Sequence, residues 1–405
     1  MKAIFNLVRI IVGVLFIFSG LVKANDPLGL SYKMQEFFEI WSTGLAGGSF
    51  FLKDPLIGLF DFLHEHTLFL SVVIIAFEII AGAALLIGWR MKLFIWLLLL
   101  LIVFFTFLTA YAYLSKNPDG SPKFTNCGCF GDCLPITPFT SFMKDVVLTI
   151  LIVFLFAKQK WITPVLGAKA ATITMLLVTL FSFGIQWYAL NYLPFVDCLP
   201  YKKGKNLPEQ MKIPADAIPD STEITFLYEK EGKEVEFNAR QFPDDFNDSV
   251  YHFIKRYDKV IRKGKNNQPP IKGFALTGDR FFDTLSGQEK TNDSTDIILS
   301  MPYAILIIGE DFTATFPDWQ KQLRELHALA RQKNIPVFGI TSFRDKAIQL
   351  FSQEFSDIQL FNCDNTAIRT AARTNPSFYI LKGGTILDKQ GYKKLDVILS
   401  RVKEL

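Results

Sequence analysis

Three cysteines fall within seven residues, in the run Asn126-Cys127-Gly128-Cys129-Phe130-Gly131-Asp132-Cys133. A thiolate is a nucleophile, a metal ligand and half of a two-electron couple, so such a run can do chemistry. Three thiols this close in sequence meet only if the backbone turns tightly, and Gly128 and Gly131 supply that freedom. Three readings are open: a redox-active group, a disulfide that pins the loop, and a metal site. The last fits least, because tetrahedral zinc wants four ligands and no histidine is near in sequence; no metal is assigned. Cys198 and Cys363 are secondary thiols, and a total of five leaves one unpaired or paired between molecules. Cys127, Cys129 and Cys133 are the candidate catalytic residues.

The elements that must hold this loop are apolar. Half of the 405 residues are hydrophobic and Phe alone counts 40, with a mean hydropathy of +0.25. Disordered and collagenous chains do not look like this, and a scattered net charge of +4 argues against a nucleic-acid partner. Residues 1–194 carry 23 charged side chains and residues 195–405 carry 59, so the first half reads as membrane and the second as a soluble domain. Runs close to the ~20 residues that cross a bilayer lie at about 4–22, 68–88, 92–114, 138–157 and 170–193. The fourth is the weakest, because Lys144 and Asp145 interrupt it. The first contains Arg9 and has no small-x-small site after Gly20, so a retained anchor is expected rather than a cleaved signal. Short-loop basic residues (Lys2; Arg90 and Lys92; Lys158, Lys160 and Lys169) mark the cytoplasmic ends. The loops 23–67 and 115–137 and the C-terminal half then lie outside. All five cysteines fall on that oxidising side. The expectation is a multi-pass protein of the bacterial cytoplasmic membrane with a periplasmic C-terminal domain.

Two charges lie inside these runs. Glu78, near the middle of the second, is expensive in hydrocarbon unless paired or wetted. Arg9, ~12 Å along the first helix, is its expected partner across the bundle. The pair reads either as a polar clamp or as a proton or quinone site, because quinone-linked disulfide formation must move protons. Gly82 and the alanines beside it let another helix approach closely. His64-Glu65-His66 is expected to be an interfacial cap, and the segment from Phe50 to Leu63 suits a helix lying in the interface.

Cys127-Gly128-Cys129-Phe130-Gly131 ahead of a helical run resembles the signature of MauE/DoxX-type redox-associated membrane proteins. Arg9, Gly13, Phe16, Phe18-Ser19-Gly20 and Lys23 in the first run, and Glu78, Gly82, Leu85 and Gly88 in the second, are similar to DoxX helices. The resemblance covers 1–157 and implies a four-helix membrane domain concerned with thiol or sulfur redox. MauE-type members support maturation of a disulfide-rich periplasmic enzyme; DoxX-type relatives are associated with quinone-linked sulfur oxidation. A quinone is the cofactor this implies. Residues 158–194 add a fifth span.

Residues 195–270 read as a linker region with one hairpin, Ile224–Tyr228 and Val235–Phe237 about Glu231-Gly232-Lys233. From 271 onward the pattern alternates. Strands are expected at Gly273–Leu276, Tyr303–Ile308, Val337–Thr341, Asp357–Phe361, Ser377–Leu381 and Thr385–Asp388, and helices at Trp319–Gln332, Arg344–Phe355 and Thr366–Ala372. Asn375-Pro376 before a strand, then Lys382-Gly383-Gly384-Thr385 as a turn, resembles the second half of a thioredoxin fold of the thiol-peroxidase/TlpA-like branch, with Pro376 at its cis-proline position. The fold class is thus a membrane helical bundle followed by a thioredoxin-like α/β domain over 271–405. That fold carries Cys-x-x-Cys after its first central strand. Here the stretch is Phe316-Pro317-Asp318-Trp319, so no thiolate forms there. Cys363, the domain's lone cysteine, could join Cys198 or the membrane loop. A helical redox bundle tied to such a domain resembles the vitamin-K-epoxide-reductase/thioredoxin fusions. Two functions follow: periplasmic thiol–disulfide or sulfur redox linked to the membrane, or a non-catalytic anchored factor whose degenerate domain holds a client protein.

Overall fold

Among the described residues, which are all but 1, 49–50, 118–121, 125–126, 239, 263 and 284–287, five helices of the computed structural model are long and apolar enough to cross a membrane. They are α1 (Lys2–Ala24), α4 (Thr67–Ile87), α5 (Met91–Leu114), α6 (Pro138–Ala157) and α7 (Ala168–Tyr192), each within about two residues of its expected run. Two more helices fill the segment between the first two spans: α2 (Pro27–Ala46) and α3 (Lys53–Glu65). α3 covers most of the segment expected to lie in the interface, is helical as expected, and buries none of its residues. α2 is not expected from hydropathy, because Lys33, Glu36 and Glu39 break its apolar run. It buries one face, with Leu30, Met34, Phe37 and Phe38, and starts at Asp26, whose carboxylate accepts from the Gly29 N–H ahead of Pro27.

α1 and α4 approach most closely. A Cβ at Gly82 would meet the Gly13 carbonyl oxygen at 2.7 Å, and one at Gly13 would strike Leu86 at 2.6 Å, so the backbones touch where small residues face each other. Arg9 does not pair with Glu78. Its guanidinium donates to the carbonyls of Leu86 (3.2 Å) and Thr163 (3.3 Å), tying α1 to the end of α4, where backbone carbonyls lack helical partners, and to the segment ahead of α7.

Beyond α7 and a short α8 (Leu207–Gln210), the strands β1 (Ser221–Lys230), β2 (Lys233–Asn238) and β3 (Tyr251–Arg262) form an antiparallel sheet in the order β2-β1-β3. The expected hairpin is β1–β2, turning through Glu231 and Gly232, both at positive φ. β3 is an addition to the hairpin.

A seven-stranded sheet follows, built from β4 (Thr277–Asp283), β5 (Gln288–Asp293), β6 (Ala304–Ile308), β7 (Val337–Thr341), β8 (Gln359–Asn362), β9 (Ser377–Lys382) and β10 (Thr385–Gly391). Its order is β10-β9-β6-β7-β8-β4-β5, with β6, β7 and β8 parallel and the others antiparallel. The connecting helices are α9 (Thr295–Leu299), α10 (Phe316–Gln332), α11 (Arg344–Phe351), α12 (Asn365–Ala371) and α13 (Leu395–Glu404). Alternate residues of β6 feed two cores: Ile305 and Ile307 pack with α10, α11 and α13, while Ala304, Leu306 and Ile308 pack with α12. The expected strand at Gly273–Leu276 is a tight turn instead. Gly273 sits at φ +68 and the Ala275 N–H bonds back to its carbonyl. The Asn375–Pro376 peptide is cis.

The α/β domain rests on the end of the bundle that carries the 115–137 loop. Arg373, almost fully buried, donates to Asp26 (2.7 Å) and Asp132 (2.6 Å) and lies over the Tyr32 ring. Asn25 exchanges two hydrogen bonds with the Val196 backbone, and Lys389 holds Asp197 at 2.7 Å.

Candidate functional site: a thiol pair over a buried ion pair

The turn from Gly128 to Gly131, closed by the Gly131 N–H to Gly128 carbonyl bond and with both glycines at positive φ, folds the cysteine loop back onto the bundle. Of the three cysteines expected to act together, the structure separates one. Cys133 is joined to Cys198 by a disulfide, and Cys127, Cys129 and Cys363 are free thiols. Cys363 therefore does not bridge to Cys198. It is buried in the α/β core near the Gly273 carbonyl, and burial pushes its thiol up to about 12.

Cys127 and Cys129 both face a narrow cavity of about 60 Å³, room for a few water molecules. Its walls are apolar, with Phe16, Leu30, Met34, Phe37, Ile102 and Phe105 among them. Its floor is charged. Lys23 of α1 and Glu78 of α4 pair at 2.5 Å, both almost wholly buried. Ser19, one turn before Lys23 on the same face, lies within hydrogen-bond distance of both Glu78 Oε2 (3.0 Å) and the Cys129 carbonyl (3.1 Å). The Lys23 ammonium also lies 4.8 Å from the Phe105 ring centroid.

A second pair enters from α6. Lys144 holds Asp145 at 2.8 Å, Thr109 of α5 donates to the same carboxylate at 3.1 Å, and the Lys144 ammonium lies over Phe130 at 4.9 Å. Both thiols are raised by burial, Cys127 to about 12. The nearby Lys144 charge opposes that rise at Cys129, and the Ser141 hydroxyl lies beside both thiols.

Ser19, Lys23, Lys144 and Asp145 belong to the site and were not expected in it. Lys144 and Asp145 stand in the sequence as the flaw in the fourth span, which is itself the signal: a charged pair inside an apolar run needs a polar cavity. Ser19 and Lys23 are spaced i, i+4, one face of a helix. Phe316 and Trp319, at the degenerate position, are core residues packed against Phe312, Phe351 and Phe378, and Trp319 Nε1 lies 3.2 Å from Thr315 Oγ1. His66 stacks on Phe62 where α3 meets α4.

These features define a multi-pass helical membrane protein with a free thiol pair at one end of its bundle and an α/β domain docked over that end. Residues 55–158 match the family model described as methylamine utilisation protein MauE. That stretch holds Glu78, the cysteine loop, Lys144 and Asp145, and stops short of Ser19 and Lys23. Residues 215–263 match a domain of unknown function (DUF8463), which takes in the three-stranded sheet. A 59-residue stretch is 39% identical to protein TlpB of Flavobacterium psychrophilum; it covers 15% of this chain and 15% of that relative's length. No solved structure matches the chain.

Proposed function

We propose that the protein is a membrane thiol–disulfide oxidoreductase in which Cys127 and Cys129 are the working dithiol on the periplasmic side. The observation that carries this is the placement of two unpaired thiols against an apolar cavity floored by two ion pairs. A static loop disulfide would leave neither the thiols nor the charges anything to do. A dithiol that becomes a disulfide gives up two electrons and two protons. Apolar walls with the Lys23 and Lys144 ammonium groups facing inward have the polarity a lipid-soluble quinone needs; the cavity would have to widen beyond the few waters it holds to admit the ring, whose carbonyl oxygens those groups would then hold. Bound there, a quinone would supply the two-electron sink. Of the chain's own groups, Lys144 favours the Cys129 thiolate, Ser19 ties the Cys129 backbone to Glu78, and the docked domain shields the loop from water.

The strand order β10-β9-β6-β7 and α10 directly after β6 support reading 271–405 as thioredoxin-like. With Phe316 and Trp319 in its core, that domain serves as a platform for a client protein and exchanges no thiols at that position. The same observation favours a second reading, an anchored assembly factor with an idle loop.

Full-length protein in detergent, given dithiothreitol and a short-chain ubiquinone analogue, separates the two. Quinone absorbance should fall with wild type and stay at the uncatalysed rate with Cys127→Ser and Cys129→Ser. Serine variants as fast as wild type would refute the redox reading.

A further inference from the structure

We infer that the protein carries a binding site for the phosphate headgroup of an anionic phospholipid, in the cleft between the end of α7 and the β10–α13 junction. α7 ends at Tyr192, and Leu193, at φ +79, swings the chain sideways out of the span. The residues around that bend are those of a membrane–water interface. Trp187, Phe195 and Val196 are exposed, and Tyr188 stacks on Phe195 with ring centroids 4.5 Å apart.

Against this belt the α/β domain lays a row of lysines. The cleft is about 310 Å³ and is lined by Tyr188, Tyr192, Lys203, Lys389, Lys394 and Asp197 among others. Asp197, the one carboxylate in the lining among the described residues, is taken by Lys389 at 2.7 Å. Lys203 reaches Asp388 only loosely, at 3.5 Å.

Lys394 differs from both. It is half-buried; its ammonium lies 5.6 and 5.5 Å from the ring centroids of Tyr188 and Tyr192, and its one hydrogen bond among the described residues is to the Tyr188 hydroxyl at 3.2 Å. Beside it, Lys393 donates to the Asn191 side chain at the end of α7. Neither lysine has a carboxylate partner among the described residues.

A partly desolvated ammonium held on two tyrosine faces, at the depth where a span leaves the bilayer, is matched by an anion that arrives with the lipid. A phosphodiester accepts from Lys393 and Lys394 while its acyl chains lie along the exposed Leu176, Leu180 and Phe183 of α7. A zwitterionic headgroup offers the same phosphate with a cation beside it, and is disfavoured by the lysine row.

The test uses the full-length protein, delipidated in detergent and titrated with phosphatidylglycerol or phosphatidylcholine, with bound lipid read by native mass spectrometry. One tightly retained phosphatidylglycerol per chain is expected. Lys393→Gln with Lys394→Gln should weaken its retention about 30-fold, from two charge contacts at a membrane surface. Lys255→Gln with Lys321→Gln removes as much charge from exposed positions outside the cleft and should change nothing. Equal retention of the two lipids, or equal loss in the two double variants, would overturn the site. Displacement of phosphatidylglycerol by inorganic phosphate at matched concentration would make it a free-anion site and overturn the lipid assignment.

Discussion

Removing Lys23 should be far more damaging than removing Lys23 and the charge of Glu78 together. In the wild-type protein the Glu78 carboxylate, almost wholly buried, faces Lys23 at 2.5 Å and Ser19 at 3.0 Å. Lys23→Met leaves that carboxylate with the Ser19 hydroxyl as its one side-chain partner, in a narrow cavity whose few waters replace an ammonium poorly. Stranding one member of a buried pair costs about 3–5 kcal/mol. Glu78→Gln in the same background takes away the uncompensated charge and keeps an acceptor for Ser19. The double variant should therefore recover all but about 1–2 kcal/mol, the worth of the remaining lost hydrogen bonding. Glu78→Gln alone strands the Lys23 ammonium on the Phe105 face and should fall near Lys23→Met. The assay is denaturant unfolding of the purified protein in detergent, followed by tryptophan fluorescence, run as a double-mutant cycle. A Lys23→Met protein within about 1 kcal/mol of wild type, or a double variant no more stable than the worse single one, would refute the buried pair as a mutually dependent unit.

Four other outcomes are expected. Cys127, pushed by burial to about 12, should be alkylated by iodoacetamide roughly a thousandfold more slowly at pH 7 than an ordinary thiol. Because the thiolate is the reacting form, its rate should climb about tenfold per pH unit up to about pH 12, and free-cysteine rates at pH 7 would contradict the burial. Arg373→Gln leaves Asp26 and Asp132 facing each other, so hydrogen exchange over 25–34 should speed by about 100-fold or more; unchanged protection would mean that the domain is held by other contacts. Protein cut at an engineered protease site between Thr163 and Gly167 should run as one species without reductant and as two with it, because Cys133–Cys198 spans the cut. Trp319→Ala, at the centre of an aromatic core, should lower the stability of the α/β domain by about 3–5 kcal/mol, seen as an earlier thermal transition; a shift under 1 °C would argue against that packing.

The spans were legible because hydrocarbon imposes a length on apolar runs and little else in the chain competes with that signal. α2 was not, since a helix with one face on the bundle and the other in water has no long apolar run, and its amphipathic period is all that marks it. The α/β strands β6, β7 and β9 show as short apolar runs because both faces are covered. β3, β4 and β5 are rich in Lys, Asp, Glu and Arg, so nothing in hydropathy separates them from linker. In the site, the cysteines drew notice by type and spacing, yet their pairing depended on where span five returns the chain, which no local pattern reports. Glu78 was recognisable as needing a partner. Arg9 was the obvious choice by charge and span, and the helix rise puts it at the wrong end, whereas Lys23, at the edge of the same apolar run, reaches Glu78 directly.

The Cys133–Cys198 bond, between residues 65 apart in sequence, closes a covalent ring that includes α6 and α7. By chain-length arguments a ring of that size restricts the unfolded chain by about 4 kcal/mol, and α7 buries the least of its surface among the spans. The two sulfurs can come together only after α7 has completed its passage and delivered Cys198 to the side where Cys133 already waits. Closure of the ring thus marks finished insertion: a chain stalled before α7 crosses keeps Cys133 and Cys198 apart, and both stay thiols.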